Sequence, residues 1–303
     1  MCTSVENYIQ KQISPIEVIS PSKSKAISKD ISSRPDGYSF TIVTAASSNH
    51  WCQLTYWISH MNNLKLFLPK NIKSRIIIYD LNLKEQHKFI LDKFKSKNKF
   101  NELRKFNYTK YPEFWNLKEN KTSRGEYGWK AGIIKEISNE FPGFLIWSDS
   151  GTIISQKTLE NLPEILKLHN GFISSKSSGT MAKWTHPGVY KYFNDDAKKY
   201  KKVHNCNAAS LFFDTNRTQY LIDALYECAL EKECIAPRGS SRKNHRQDQA
   251  ILTYLITKDR RKCEINDKKL GAKAHGFDHI CRDDKKIAKD IEAEDKKHIK
   301  AED

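Results

Sequence analysis

Short apolar runs alternate with helical patterns along most of this chain, and that alternation is what most restricts its fold. Ser39–Ala46 reads as a strand, Trp51–Leu64 as a helix, Arg75–Asp80 as a second strand and Lys84–Lys95 as a second helix. Leu103–Tyr108 reads as a strand, Trp129–Phe141 as a helix, Gly143–Asp149 as a strand and Leu159–His169 as a helix. Gly171–Ser174 and Asn207–Asp214 add strands, and Arg217–Cys234 and Asp248–Thr257 add helices. Trp129, Ile133, Ile134 and Ile137 fall on one helical stripe. Strands separated by helices of this length cannot pair as simple hairpins. They predict an α/β fold with a Rossmann-like, mainly parallel central sheet and helices on both faces.

A chain of 303 residues, 38% hydrophobic, suits one large domain of this class or two small ones. We place it at residues 37–282, between a Ser/Lys-rich flexible leader, 1–36, and a charged tail, 283–303. The net charge is +16, and the surplus falls within 37–282. Such a surface attracts anions, nucleic acid and phosphorylated ligands included. It is spread widely and carries no recognisable nucleic-acid motif, so nucleic acid is not an expected partner.

The seven cysteines contain no C-x-x-C pair and no zinc spacing. One or two disulfides are expected if the chain enters an oxidising compartment. No run reaches the ~20 apolar residues of a transmembrane helix, and the leader lacks a signal-peptide core. The chain reads as cytoplasmic as it stands, and as secretory if its N-terminus is incomplete.

Within this frame one stretch carries chemistry, Gly143-Phe-Leu-Ile-Trp-Ser-Asp-Ser-Gly-Thr-Ile-Ile154. It delivers a carboxylate, Asp149, at the end of a buried strand, where open α/β sheets place their ligands. Ser150 and Gly151 let a ligand approach the backbone, although Asp-Ser-Gly is also an ordinary turn. The end of the first strand and its loop, with Thr44, Ser47 and Asn49, and Asp80 at the end of the second, are candidates for a nucleotide. Lys130 opens a helix, where backbone N–H groups and its own charge suit phosphate. Trp184 and His186 precede a Pro-Gly turn and could wall a sugar or a base. Arg238, Arg242, His245, Arg246 and Gln249 surround Asp248 in the densest polar run, suited to an anion and one oriented carboxylate. Each has a plain alternative: a β-α connection, a core tryptophan beside a solvated lysine, a packed turn, or a basic loop with Asp248 as a helix cap.

Taken in order, Tyr79-Asp-Leu-Asn-Leu83, Tyr127-Gly-Trp-Lys130, Leu145-Ile-Trp-Ser-Asp-Ser-Gly151, Trp184-Thr-His-Pro-Gly188, Cys206-Asn-Ala-Ala209, Cys234-Ile-Ala-Pro237 and His245-Arg-Gln-Asp-Gln249 carry a resemblance. The set resembles a eukaryotic group of nucleotide-diphospho-sugar-transferase-like proteins with a GT-A-type glycosyltransferase fold, over roughly residues 37–282. The resemblance implies transfer of a hexose from a nucleotide sugar, most naturally a UDP-sugar, to a hydroxyl of an unknown glycan, lipid or protein acceptor.

Such enzymes use an Asp-x-Asp pair to hold a divalent cation, Mn or Mg, on the donor's diphosphate. Asp149 matches the first aspartate and would be the metal ligand, while Gly151 stands where the second is expected. Lys130 and Arg246 offer another way to neutralise a diphosphate. The resemblance further implies that Asn207 lines the sugar pocket and that Asp248 serves as the base for the acceptor hydroxyl. The missing second acid also suits a non-catalytic carbohydrate- or nucleotide-binding module, and the basic core a nucleic-acid binder.

Overall fold

The computed structural model describes residues 36–117 and 124–282. The expected leader, save Asp36, and the expected tail lie outside the described residues. The elements are β1 (Phe40–Ala46), α1 (Trp51–Phe67), β2 (Ser74–Asp80), α2 (Glu85–Ser96), β3 (Glu102–Lys105), α3 (Gly128–Glu140) and β4 (Phe144–Ser148). They continue with β5 (Ile153–Ile154), α4 (Gln156–Glu160), α5 (Leu162–Leu168), β6 (Phe172–Ile173), β7 (Lys176–Thr180), α6 (Met181–Trp184) and α7 (Pro187–Tyr192). The rest are β8 (His204–Cys206), β9 (Ser210–Asp214), α8 (Thr215–Leu230), α9 (Lys232–Ile235), α10 (Gln247–Lys258), α11 (Asp267–Leu270) and β10 (Ala272–Lys273).

The central sheet runs β3-β2-β1-β4-β9-β6. Strands β3, β2, β1 and β4 are parallel, while β9 runs antiparallel to both β4 and β6. This is the mostly parallel α/β sheet that the alternation of elements predicts. Strands β1 and β2 are buried along their whole length, as strands covered on both faces must be.

Alternate residues feed two cores. Val43, Ile77, Leu145, Trp147 and Phe213 face one side with α3, α8 and α10. Ile42, Ile76, Ile146 and Phe212 face the other with α1. Helix α3 opens against Trp115, whose Nε1 donates to the Ala229 carbonyl at 2.9 Å. A Cβ on Gly128 would stand 2.1 Å from that indole nitrogen, so only glycine lets the helix start this close.

Several boundaries differ from the sequence reading. The third strand ends at Lys105, and residues 108–110 form a tight 3-10 turn. The helix expected over 159–169 is two, broken at Asn161 and restarted with Pro163, which has no N–H to continue the ladder. Helix α8 ends at Leu230 because Glu231 is extended. The small pairs β5/β10 and β7/β8 have no apolar period to announce them.

Three disulfides join the described cysteines, one more than the largest number expected: Cys52–Cys281, Cys206–Cys263 and Cys228–Cys234. Among the described residues no helix is long and apolar enough to cross a membrane.

Candidate functional site

Strand β4 is held between β1 and β9, and its ladder continues one residue further, where the Asp149 N–H donates to the Ala209 carbonyl at 2.8 Å. The chain then turns, with Thr152 N–H donating to Asp149 O at 2.9 Å. Asp149 is thereby fixed beyond the carboxyl end of a central parallel strand.

Lys130, in the first turn of α3, reaches the same point. Its ammonium lies 3.1 Å from Asp149 Oδ1 and 3.0 Å from Asp248 Oδ2, and donates to the Ala208 carbonyl at 3.1 Å. Trp147 Nε1 donates to Asp149 Oδ1 at 2.7 Å. Lys130 is only 4% exposed and Asp248 7%, whereas the Asp149 side chain is 40% exposed. One ammonium therefore serves two carboxylates at the boundary between core and solvent.

Burial alone would push the Lys130 ammonium down, but Asp149 and Asp248 outweigh it and hold it well above the ordinary lysine range. Asp248 is raised instead. Burial disfavours its charge, and the attraction of Lys130 recovers only part of that cost. Its Oδ2 lies 3.0 Å from Lys130 Nζ and accepts from no other group among the described residues, which leaves a buried carboxylate lone pair open.

The backbone on both sides of this centre is strained. Arg124, Gly125, Glu126 and Tyr127 have φ of 56, 62, 47 and 57°, a left-handed turn in which three of four residues carry a side chain. Such residues ordinarily visit this region singly, at about 1–3 kcal/mol each. Gln247, next to Asp248, also has positive φ, 31°. The two strained segments are clasped together, Gln247 Nε2 donating to Glu126 Oε2 at 3.0 Å. Burial raises the Glu126 carboxyl above its usual range.

Beside this centre, where Lys130 Nζ lies 5.8 Å from the Tyr127 ring centroid, stands a rim of cations on aromatic rings. Tyr127 Oη accepts from Arg242 Nη1 at 2.6 Å and from Arg124 Nη1 at 3.0 Å. Arg246 lies 4.1 Å over the Trp184 ring, and Lys183 4.7 Å over the same ring. Trp184 is itself oriented by donating Nε1 to Ser178 O at 2.9 Å.

The structure thus gathers Lys130, Asp149 and Asp248, with Trp184 and Arg246 on the rim. Asn207 precedes the Ala208 carbonyl that caps Lys130, and its Oδ1 accepts from Ala209 N–H at 3.1 Å. Ser150 is buried in the turn. Gln249 follows Asp248 in the first turn of α10 and is half-buried, while His186 accepts from Gly188 N–H at 3.1 Å.

Two expectations, for Thr44 and His245, need correcting. Thr44 is 0% exposed, sealed within β1 opposite Ile78, and cannot touch a ligand from there. His245 is equally sealed, and both ring nitrogens are engaged: Nε2 with Ile235 O at 2.8 Å, and Nδ1 with His186 N–H at 3.3 Å. It fastens the 237–246 loop and does not face the sugar site. Asp80 is buried and spends Oδ1 on Leu83 N–H at 2.5 Å. In the neighbouring loop, Ser47 Oγ donates to Asn49 Oδ1 at 2.5 Å on an exposed surface. Two residues absent from the candidate set, Tyr127 and Arg124, prove central to the rim. No sequence signal marks a left-handed turn of residues other than glycine.

In its present contacts Asp149 does not suit a divalent cation. Asp149 Oδ1 already carries an indole N–H and an ammonium, and the ammonium would repel a metal placed beside it. Residue 151 has no side chain; the carboxylate beside it is that of Asp278, whose Oδ1 would stand 3.3 Å from a Cβ there and whose Oδ2 lies 3.0 Å from His275 Nδ1. Among the described residues, no three His, Cys, Asp or Glu side chains converge to share a metal ion.

Comparison with known families places residues 8–134 in a match to the family described as "Protein of unknown function (DUF1647)". No curated protein matches the chain in sequence. Among solved structures, the galactosyltransferase LgtC with donor and acceptor sugar analogues is similar at 14% identity and a TM-score of 0.40, over 71% of this chain and 70% of that one. Mouse xyloside xylosyltransferase 1 is similar at 10% identity and 0.39, over 73% and 82%. The mannosyltransferase Ktr4p from S. cerevisiae is similar at 11% identity and 0.46, over 84% and 74%. At such distances the chemistry of the site itself has to carry any conclusion about function.

Proposed function

We propose that the chain is a glycosyltransferase that moves a hexose from a nucleotide sugar, UDP-sugars first, to a hydroxyl of a glycan, lipid or protein acceptor. One observation carries the reading: Asp248 and Asp149 share the buried ammonium of Lys130 beyond the carboxyl end of a central parallel strand. Asp248 is the base. Burial makes it a stronger proton acceptor than an ordinary carboxylate, and its open lone pair suits an incoming hydroxyl.

In the reaction the acceptor oxygen attacks the anomeric carbon and its proton passes to Asp248. The bond from that carbon to the diphosphate oxygen breaks, and the electron pair leaves with the diphosphate. Lys130 keeps the pocket from becoming anionic and fixes both carboxylates. Asp149 and the Ser150–Gly151 turn face the donor, the Ser47–Asn49 loop the nucleotide, and Trp184 and Asn207 the sugar. Three disulfides support folding in an oxidising compartment.

The test is release of nucleoside diphosphate from a panel of UDP- and GDP-hexoses, with and without sugar acceptors. Wild-type turnover that Asp248→Asn abolishes without unfolding supports the assignment; turnover retained by that variant refutes Asp248 as the base. The engagement of both carboxylates by Lys130 favours one rival, a non-catalytic binding module. That rival predicts nucleotide or sugar binding with no turnover on any donor.

A further inference from the structure

Four arginines have carboxylate partners, Arg75 with Asp36, Arg104 with Glu102 and Glu140, Arg217 with Asp214, and Arg261 with Asp259, while the exposed Arg238, Arg260 and Arg282 have none among the described residues. The cations beside Lys130 are set apart by their clustering. Among the described residues, Arg124, Arg242, Arg246 and Lys183 have no carboxylate within ion-pair distance, although they cluster on Tyr127 and Trp184. Like charges gathered without counter-charge repel one another, a cost that water and salt screen in part and that a bound anion would remove.

The geometry holds the cations in place. Arg242 and Arg124 donate to one phenolic oxygen through a single nitrogen each, which leaves the rest of each guanidinium fork free. Arg246 is stacked on Trp184, and its backbone N–H donates to Trp184 O at 3.1 Å. Burial and the nearby Arg242 both bear on Arg246, holding its guanidinium below the usual range. The left-handed turn that presents Arg124 and Tyr127 is costly backbone spent at this rim.

We propose that this rim is a metal-free diphosphate site, in which Arg242, Arg246, Arg124 and Lys183 supply the charge that a divalent cation would otherwise bring to the donor. A guanidinium fork matches the paired oxygens of a phosphate, and several forks held close together suit a diphosphate. Naming a nucleotide sugar as the carrier of that diphosphate rests on the transferase reading; the oxyanion site itself does not.

The test is calorimetric titration of the full chain with UDP, GDP and inorganic pyrophosphate, first in EDTA and then with excess manganese. Wild type is compared with Arg242→Ala/Arg246→Ala, with the charge-preserving Arg242→Lys/Arg246→Lys, and with Arg217→Ala as a remote charge control. The expected result is binding in EDTA that weakens at least tenfold in the alanine double variant. The lysine pair should retain part of the affinity and Arg217→Ala all of it, and added salt should weaken the interaction. Pyrophosphate binding without any nucleotide binding supports the site while removing the transferase reading. Binding that requires manganese, equal binding by the alanine variant, no binding of any diphosphate, or preference for a heparin oligosaccharide over pyrophosphate each overturns the proposal. Circular dichroism and melting of every variant separate loss of the site from loss of the fold.

Discussion

Lys130 and Asp248 meet at 3.0 Å although neither is more than 7% exposed, and they come from the first turns of two different helices, α3 and α10. A buried pair of this kind contributes little net stability, because desolvation offsets attraction. Removing one partner is another matter. Lys130→Ala leaves the Asp248 carboxylate buried without its cation and should destabilise the fold by roughly 3–5 kcal/mol at neutral pH. Lys130→Ala/Asp248→Asn should recover much of that loss. Urea unfolding of wild type and the two variants checks it, and a double variant no more stable than Lys130→Ala would mean the two groups are uncoupled.

The acid side of the stability curve should report His245. Its ring is pushed down to about 4, mainly by burial, helped by neighbouring His186 and opposed by the Ile235 carbonyl. A depressed folded-state value means that the unfolded chain takes up the proton first. The contribution is fully present above about pH 6.5 and is lost as pH falls toward 4, at about 3 kcal/mol in all. His245→Gln should flatten the urea midpoint between pH 6.5 and 4 relative to wild type. Identical slopes would show that His245 titrates normally.

The strands of the central sheet were readable because parallel strands covered on both faces must be apolar along their length, as Arg75-Ile-Ile-Ile-Tyr-Asp80 shows. The carboxyl-end position of Asp149 follows from the same logic. What joins Asp149 to Lys130 and Asp248 is tertiary packing of α3 and α10 on β4 and β9, which no local pattern encodes. The short polar strand β7 has no period to detect. The left-handed turn at Arg124–Tyr127 runs against the preferences of its own residues, so only the surrounding packing specifies it. His245 read as a ligand because burial, unlike charge, is invisible in a polar run.

Cysteine pairing was equally hidden, and it carries a sharp stability prediction. Cys52–Cys281 closes a loop of 229 residues and ties α1 to the segment that lies against Gly151. The Phe277 N–H donates to Gly151 O at 3.3 Å within that contact. By loop-closure entropy such a link stabilises by about 5 kcal/mol, an upper figure because denatured chains retain structure. Cys52→Ser/Cys281→Ser should lower the melting temperature by several degrees without changing the secondary structure. Peptide mass mapping without reductant should recover the Cys52–Cys281 link, and free thiols at both positions would show that this link does not form.

Tyr127 separates structure from function most cleanly. Its hydroxyl oxygen accepts two guanidinium N–H groups at the rim, while its ring lies 5.9 Å from Trp129, centroid to centroid. Tyr127→Phe keeps the ring and removes only the shared acceptor, so stability should change by less than about 1 kcal/mol. Arg242 and Arg124 would lose their common anchor and sample wider positions. Affinity for a diphosphate should then fall three- to tenfold, or KM for the donor should rise by the same factor with kcat little changed. Calorimetry with pyrophosphate and donor-saturation kinetics read the two quantities separately. An unchanged affinity would show that the phenol does not organise the arginines, and a collapse in stability would show that its hydroxyl is structural.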